Sequence, residues 1–250
     1  MSVVINVNNL NKYYNGFKAL KDISFKVNRG NVFGYLGSNG SGKTTTIKIL
    51  LGLIKPTSGD IKVLGSNTFF DSYESIKARS KIGSILDFDG LIQELSGIDN
   101  LIFWGGSYGI SKENAFSLSK NLIKLVELGD WGDVKVSKYS NGMKKRLCIA
   151  RSLISDPQVL IMDEPTTGLD PESRYFMRKI LKELASKGKT IFLSSHDLEE
   201  VQKICSHVGL INKGELIFNG PLDKLSSGFD NPKEFSLEKT YLHMLKECEL

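Results

Sequence analysis

The sequence predicts an α/β fold with a mixed β-sheet core, an antiparallel β-subdomain near the N-terminus and an inserted α-helical subdomain. Three observations lead to this prediction. Short runs rich in β-branched residues alternate with segments of helical apolar spacing near both ends of the chain. A glycine-rich segment connects one of these runs to a predicted helix. Between about residues 84 and 155, helical spacing replaces the alternation.

Predicted strands dominate the first part of the chain, where Asn, Gly and Arg-Gly turns separate them. The candidate strands are residues 3–10, 20–27, 32–36 and 60–64. A helix with one apolar face is expected over residues 46–53, and the Pro-Thr-Ser-Gly sequence at 56–59 is typical of a turn.

Apolar residues recur at helical spacing over 118–126 and 147–154, and α/β alternation then returns. The later elements expected are strands at 159–162 and 190–193, helices at 174–186 and 198–205, a hairpin at 208–218 and an amphipathic helix at 236–246. These patterns indicate one domain, with an α/β core and β-subdomain (1–83 and 156–225), a helical subdomain (84–155) and a C-terminal helical tail (226–250).

The composition is that of a globular chain with a mildly basic surface. The 250 residues are 40% hydrophobic, the net charge is +5, and an ordinary lysine-rich surface explains that charge without nucleic acid. Cys148, Cys205 and Cys248 lie far apart without metal-ligand spacing, which favours reduced thiols in the cytosol. The start shows no secretory pattern and no apolar run is long enough to cross a bilayer, so any membrane span is expected from another chain.

The glycine-rich segment fits the phosphate-binding loop pattern of Gly, four free positions, then Gly-Lys-Thr. Its residues are Gly37, Ser38, Asn39, Gly40, Ser41, Gly42, Lys43, Thr44 and Thr45. Glycines let successive N–H groups point at one anion, and the following helix adds its positive end. Lys43 is expected to reach the β- and γ-phosphates and Thr44 to ligate Mg²⁺. The alternative is a glycine-rich turn that binds nothing.

Asp163 and Glu164 follow the buried apolar strand predicted at 159–162. Beside a phosphate-binding loop, Asp163 is expected to hold Mg²⁺ through water, and Glu164 to polarise the attacking water. Without that loop, a solvated acidic pair at a strand end would explain the sequence equally well.

These motifs, in this order, resemble the ATP-binding subunit of an ABC transporter over nearly the whole chain. The resemblance implies that Tyr14 stacks on adenine, with Tyr13 as the rival if the register differs by one residue. It also implies that His196, which follows the strand predicted at 190–193, contacts the γ-phosphate and holds Glu164 and the attacking water in place.

The segment Tyr-Ser-Asn-Gly-Met-Lys-Lys-Arg at 139–146 resembles the family's signature, which usually reads Ser-Gly-Gly-Gln. The resemblance implies that Ser140, Asn141 and Gly142 bind the γ-phosphate of ATP held by a second subunit, and that Asp170 also reaches across the dimer. Asn tolerates left-handed backbone geometry, so Asn141 need not break the turn. Met143 lacks the usual side-chain amide.

A second departure is Asp87, which stands where the family usually has a Gln that ligates Mg²⁺ and links the site to the transmembrane partner. An aspartate can still ligate a hard cation. Asp89 is the alternative ligand, and a plain linker without a metal role is the other interpretation.

The resemblance implies a Mg²⁺-dependent ATPase, peripheral on the cytoplasmic face of a membrane, that drives a separate transmembrane permease as a homodimer or heterodimer. The form of the signature, Tyr-Ser-x-Gly-Met-Lys-x-Arg, is similar to that of exporter subunits. The chain also ends soon after the hairpin around Gly214, which is expected to leave no room for the regulatory domain of many importers. No nucleic-acid partner is expected. The alternatives are a soluble ABC ATPase acting on ribosomes or DNA, and a regulatory ATP-binding module with little turnover.

Overall fold

The computed structural model describes residues 2–226 and 236–247. The strands are β1 (Val3–Tyr14), β2 (Phe17–Asn28), β3 (Val32–Leu36), β4 (Ser58–Val63), β5 (Ile82–Ile85), β6 (Val159–Met162), β7 (Thr190–Ser195), β8 (His207–Asn212) and β9 (Glu215–Pro221). The helices are α1 (Lys43–Leu50), α2 (Tyr73–Arg79), α3 (Gly97–Ser107), α4 (Lys112–Leu125), α5 (Asn141–Leu153), α6 (Pro171–Ser186), α7 (Leu198–Ile204), α8 (Leu222–Ser226) and α9 (Leu237–Glu247).

The strands form two sheets. One is antiparallel with the order β2-β1-β4, and the other has the order β5-β6-β7-β3-β8-β9. In the larger sheet, β5, β6, β7, β3 and β8 run parallel and β9 is antiparallel to β8. The predicted α/β class, the mixed sheet and the N-terminal antiparallel sheet are therefore confirmed.

Several predicted element bounds were wrong, each for a local reason. Strands β1 and β2 are longer than expected because they continue as one hairpin around the Asn-Gly turn at 15–16. Helix α6 begins earlier, at Pro171, because Asp170 caps it and proline suits the first helical position. Helix α1 ends earlier, where Gly52 has a positive φ of 74°.

Three further differences concern the segment between the sheets. Ser58 and Gly59 belong to β4 and not to a turn, because β4 pairs with β1 as far as Asn11. Ser84 and Ile85, which the pattern assigned to the helical region, are the end of β5 and pair with β6. Helix α2 was not predicted; it is only seven residues long, and Ser72 caps it.

An aromatic cluster fastens the smaller sheet to the larger one. Phe25 of β2 stacks on Phe33 of β3 and on Phe192 of β7, with ring centroids 5.5 and 5.8 Å apart, and Tyr35 lies against Phe25 and Phe192. All four are buried. A second core packs the helices against the other side of the large sheet, and it includes Leu237 and Tyr241 of α9, which confirms the expected C-terminal helix.

The parallel arrangement brings three chain segments to one edge of the large sheet. Strands β3, β6 and β7 lie close together, and their carboxyl ends lead into the glycine-rich loop, Asp163-Glu164 and His196. In open parallel sheets, this edge is where ligands bind. Within the part of the chain that the structure describes, no helix has the length and apolar character that a bilayer crossing requires. Cys148 and Cys205 are buried free thiols, and Cys248 lies outside the described residues.

Candidate nucleotide-binding site

Glycines shape the loop between β3 and α1. Gly40 and Gly42 have φ values of 79° and 113°, a region that side chains disfavour. A Cβ on Gly37 would lie 2.3 Å from the carbonyl oxygen of Ile211, so the loop needs glycine there to pass so near β8. The result is a tight loop leading into the N-terminus of α1, which is the usual geometry of an anion-binding site.

Lys43 is buried beneath this loop. Its Nζ donates hydrogen bonds to the carbonyl oxygens of Gly37 at 2.8 Å and Ser38 at 3.2 Å, and lies 3.4 Å from Glu164 Oε1. The ammonium group is thus held inside the loop by carbonyl dipoles and faces the carboxylate of Glu164, which follows β6. It places one positive charge where phosphate oxygens would need it.

Asp163 is fixed at both of its oxygens. Oδ2 accepts a hydrogen bond from Thr44 Oγ1 at 2.8 Å, and Oδ1 accepts one from Ser194 Oγ at 2.5 Å. The side chain is almost fully buried. Carboxylate and hydroxyl oxygens in contact are the donor set that Mg²⁺ prefers, so the residues present fit the ion.

Glu164 has an unusual backbone and a well-connected side chain. Its φ is 48°, and its Oε2 accepts from Thr167 Oγ1 at 3.0 Å and lies 2.9 Å from His196 Nδ1. Burial alone would raise the pKa of Glu164, but the hydrogen bonds from His196 and Thr167 and the charge of Lys43 together hold that pKa below its ordinary value. The side chain is therefore an anion at neutral pH, as a water-orienting base must be.

One cavity of about 370 Å³ collects most of the predicted site residues. It is lined by Tyr14, Phe17, Ala19, Asn39, Gly40, Gly42, Lys43, Thr44, Thr45, Asp87, Asp163 and Glu164. Gly37, Ser38 and Ser41 support the loop and do not line the cavity; Ser41 is buried, and its carbonyl oxygen accepts from the Gly214 N–H. His196 does not line the cavity, but it contacts Glu164, which does.

Tyr14 and Asp87 differ from their alternatives, Tyr13 and Asp89, in their position relative to the cavity. Tyr14 lines the cavity and Tyr13 does not, while Lys12 Nζ sits 4.9 Å from the Tyr14 ring centroid. Asp87 also lines the cavity, whereas Asp89 lies in a neighbouring cleft and caps a turn by accepting from the Leu91 N–H. The geometry favours Tyr14 and Asp87 over their rivals.

The signature residues and Asp170 do not line this cavity. Ser140 caps α5, accepting from the Met143 N–H at 3.2 Å, and Asp170 caps α6 by accepting from both the N–H and the Oγ of Ser173 at 2.9 Å. These two caps share a cleft, while Asn141 lies in the cleft that contains Asp87 and Asp89. Within one chain they do not meet the cavity.

Sequence reasoning missed four residues of the site. Phe17 and Ala19 line the cavity, Thr167 binds Glu164, and Ser194 binds both acidic residues. Phe17 could have been found, because the Asn-Gly turn pairs it with Tyr14. Ser194 carries only a weak signal, which is a small polar residue at the end of an apolar strand.

Residues 20–167 match the family of ABC transporters. The chain belongs to the ABC transporter family. As a member, it is an ATP-binding subunit with ATPase activity. It is 41% identical over 238 residues to the bacitracin transport ATP-binding protein BcrA of Bacillus licheniformis, covering 95% of this chain and 76% of that protein. It is 38% identical over 216 residues to the Nod factor export ATP-binding protein I of Burkholderia lata, covering 86% and 70%.

Solved structures of the family share the fold. CbiO1 from Clostridium perfringens, part of the ABC transporter complex CbiONQ, superposes with a TM-score of 0.82 at 30% identity, over 91% of this chain and 92% of that one. A dimeric ATP-binding cassette in a post-hydrolysis state, bound to ADP and phosphate, superposes with a TM-score of 0.78 at 27% identity, over 87% and 98%.

Proposed function

We propose that this chain is the ATP-hydrolysing subunit of an exporter, and that it drives translocation through a separate transmembrane permease from the cytoplasmic face of the membrane. The observation that carries the proposal is the single cavity in which the phosphate-binding loop, Asp163 and Glu164 face one another. Export, as opposed to import, is supported by the similarity to a Nod factor export protein and by the form of the signature.

In this proposal each residue of the site has a separate role in ATP hydrolysis. Tyr14 stacks on the base, the loop amides and Lys43 bind the phosphates, and Glu164 accepts a hydrogen bond from the attacking water. His196, 2.9 Å from Glu164, holds that carboxylate in place and faces the γ-phosphate. Because the pKa of Glu164 is held low, the carboxylate orients the water without competing protonation at neutral pH.

The metal would be held by Thr44, Asp163 and Asp87. When bound, Mg²⁺ neutralises charge on the phosphate oxygens and so favours transfer of the γ-phosphoryl group. Asp87 differs from the family's usual Gln in adding a third carboxylate, after Asp163 and Glu164, to the cavity lining.

The active unit is a dimer of two cassettes, either identical or related. None of Ser140, Asn141, Gly142 and Asp170 lines the cavity of its own chain, and Ser140, Asn141 and Asp170 line open clefts that a nucleotide bound by the other chain could reach. The similarity to a dimeric cassette that holds ADP and phosphate supports this arrangement.

Copurification from the native host tests the function. The protein is tagged, its membranes are solubilised in detergent, and proteins retained with it are identified by mass spectrometry. We expect a stoichiometric polytopic membrane protein, and ATPase activity in the isolated complex. Recovery with ribosomal or DNA-repair proteins, or recovery of the chain alone, would overturn the transporter assignment.

A further inference from the structure

The hydroxyl of Ser194 joins the two acidic residues of the site. Ser194 lies near the end of β7, and its side chain is fully buried. Its Oγ donates to Asp163 Oδ1 at 2.5 Å and accepts from the backbone N–H of Glu164 at 3.0 Å. The Ser194 hydroxyl therefore donates a hydrogen bond to the Asp163 carboxylate and accepts one from the next peptide group, that of Glu164.

The first of these contacts sets the direction of the Asp163 carboxylate. With Oδ1 held by Ser194 and Oδ2 held by Thr44 at 2.8 Å, the carboxylate plane is fixed from both sides. Because Asp163 is buried, loss of one donor would leave an oxygen unpaired and free the side chain to rotate.

The second contact sets the turn that aims Glu164. A φ of 48° is uncommon for a residue other than glycine, and the turn directs the Glu164 side chain toward Lys43 and His196. The Ser194 hydroxyl satisfies the peptide N–H of this turn from the neighbouring strand. The same oxygen atom, Ser194 Oγ, therefore contacts both the backbone of Glu164, the expected base, and the carboxylate of Asp163, the expected metal ligand.

We propose that Ser194 is a positioning residue for ATP hydrolysis. Through one hydroxyl it orients Asp163 toward the metal position and fixes the backbone turn that aims Glu164, so it sets both the Mg²⁺ requirement and the turnover rate. The kinetic part of this proposal rests on the proposed function, because only a hydrolysing protein has a turnover rate to change.

The test compares Ser194→Ala and Ser194→Thr with a matched control, Thr190→Ala. Thr190 lies at the other end of β7, is also fully buried, and its Oγ1 also accepts from a backbone N–H, that of Gly30. For each variant, kcat, KM for ATP and the Mg²⁺ concentration at half-maximal rate are measured. The rise in melting temperature caused by ATP is measured with Mg²⁺ and with EDTA.

We expect Ser194→Ala to lower kcat by about 10–100-fold and to raise the Mg²⁺ requirement by a similar factor, which is the usual effect of removing a partner that orients a metal ligand. The melting-temperature rise with ATP in EDTA should match the wild type. Ser194→Thr keeps the hydroxyl and should recover most of the activity, and Thr190→Ala should leave kcat and the Mg²⁺ requirement unchanged.

A wild-type Mg²⁺ requirement and kcat in Ser194→Ala would overturn the proposal, and so would the same kinetic loss in Thr190→Ala. If the wild type itself fails to hydrolyse ATP, the proposed function is wrong. The melting curves then still decide the role of Ser194: an extra rise with Mg²⁺ that disappears in Ser194→Ala supports it, and one that persists overturns it.

Discussion

Glu164 is held by contacts from three different segments of the chain, namely Lys43, Thr167 and His196. We expect Glu164→Gln to bind Mg-ATP as the wild type does but to lose about 10²–10⁴-fold in hydrolysis, because the amide keeps the size of the side chain and cannot act as a base. Steady-state phosphate release and equilibrium ATP binding measure the two effects. Glu113→Gln, an exposed change in the first turn of α4, is the control. Hydrolysis at the wild-type rate in Glu164→Gln would move the base to another residue.

Tyr14 and Tyr13 form a matched pair for a second test at this scale. Their side chains are 43% and 44% exposed, yet only Tyr14 lines the cavity. Stacking on a base contributes about 1–3 kcal/mol, so Tyr14→Ala should weaken ATP binding about 5–150-fold. Tyr13→Ala should leave the dissociation constant unchanged. The opposite pattern, measured by titration calorimetry, would place the adenine on Tyr13.

At the scale of elements, the aromatic contact between the two sheets carries a prediction for stability. Phe25 is 3% exposed and contacts Phe33, Tyr35 and Phe192. Phe25→Ala should lower the free energy of unfolding by about 3–5 kcal/mol, since it removes a large side chain and leaves a cavity between the sheets. Urea denaturation measures this. Phe88→Ala, at a side chain that is 82% exposed, should change it by less than about 0.5 kcal/mol. Similar losses in both variants would contradict the packing argument.

The pairing of strands also explains which parts of the fold the sequence could predict. The glycine-rich loop and Asp163 each follow a short apolar strand, so local pattern was enough to predict them, whereas His196 was predicted from the resemblance to the family. The extension of β1 to Tyr14 depends on pairing with β2, and β5 on pairing with β6. Such bounds are set by partners distant in the chain, which periodicity within one segment does not contain.

The candidate site was predictable to the same extent. The motif residues Lys43, Thr44 and Asp163 were predicted and line the cavity. Ser194 was not predicted, because its two partners, Asp163 and Glu164, lie about 30 positions earlier, just after another strand. The resemblance named Tyr14 and Asp87 and left Tyr13 and Asp89 as alternatives. Only the cavity separates the members of each pair, because Tyr14 and Asp87 line it and Tyr13 and Asp89 do not.

At the scale of the whole molecule, the separation of the signature from the cavity predicts that ATP joins two chains. Glu164→Gln should retain Mg-ATP, so this variant should change from monomer to dimer when Mg-ATP is added, unless a related subunit is required. Light scattering after size-exclusion chromatography measures the mass directly, with and without nucleotide.

Gly142 supplies the decisive variant for that measurement. A Cβ there would lie 2.2 Å from Ser173 Oγ, the group that donates to Asp170 Oδ2, so Gly142→Ala must displace the contact between the signature and the cap of α6. In the Glu164→Gln background, Gly142→Ala should therefore weaken the ATP-induced dimer while ATP binding to the separate chain persists. Gly106→Ala is the matched control, because a Cβ at Gly106 in α3 meets no atom within 4 Å. Equal dimerisation in the two double variants would show that this surface does not face the partner, since only the Gly142 change alters the geometry around Asp170.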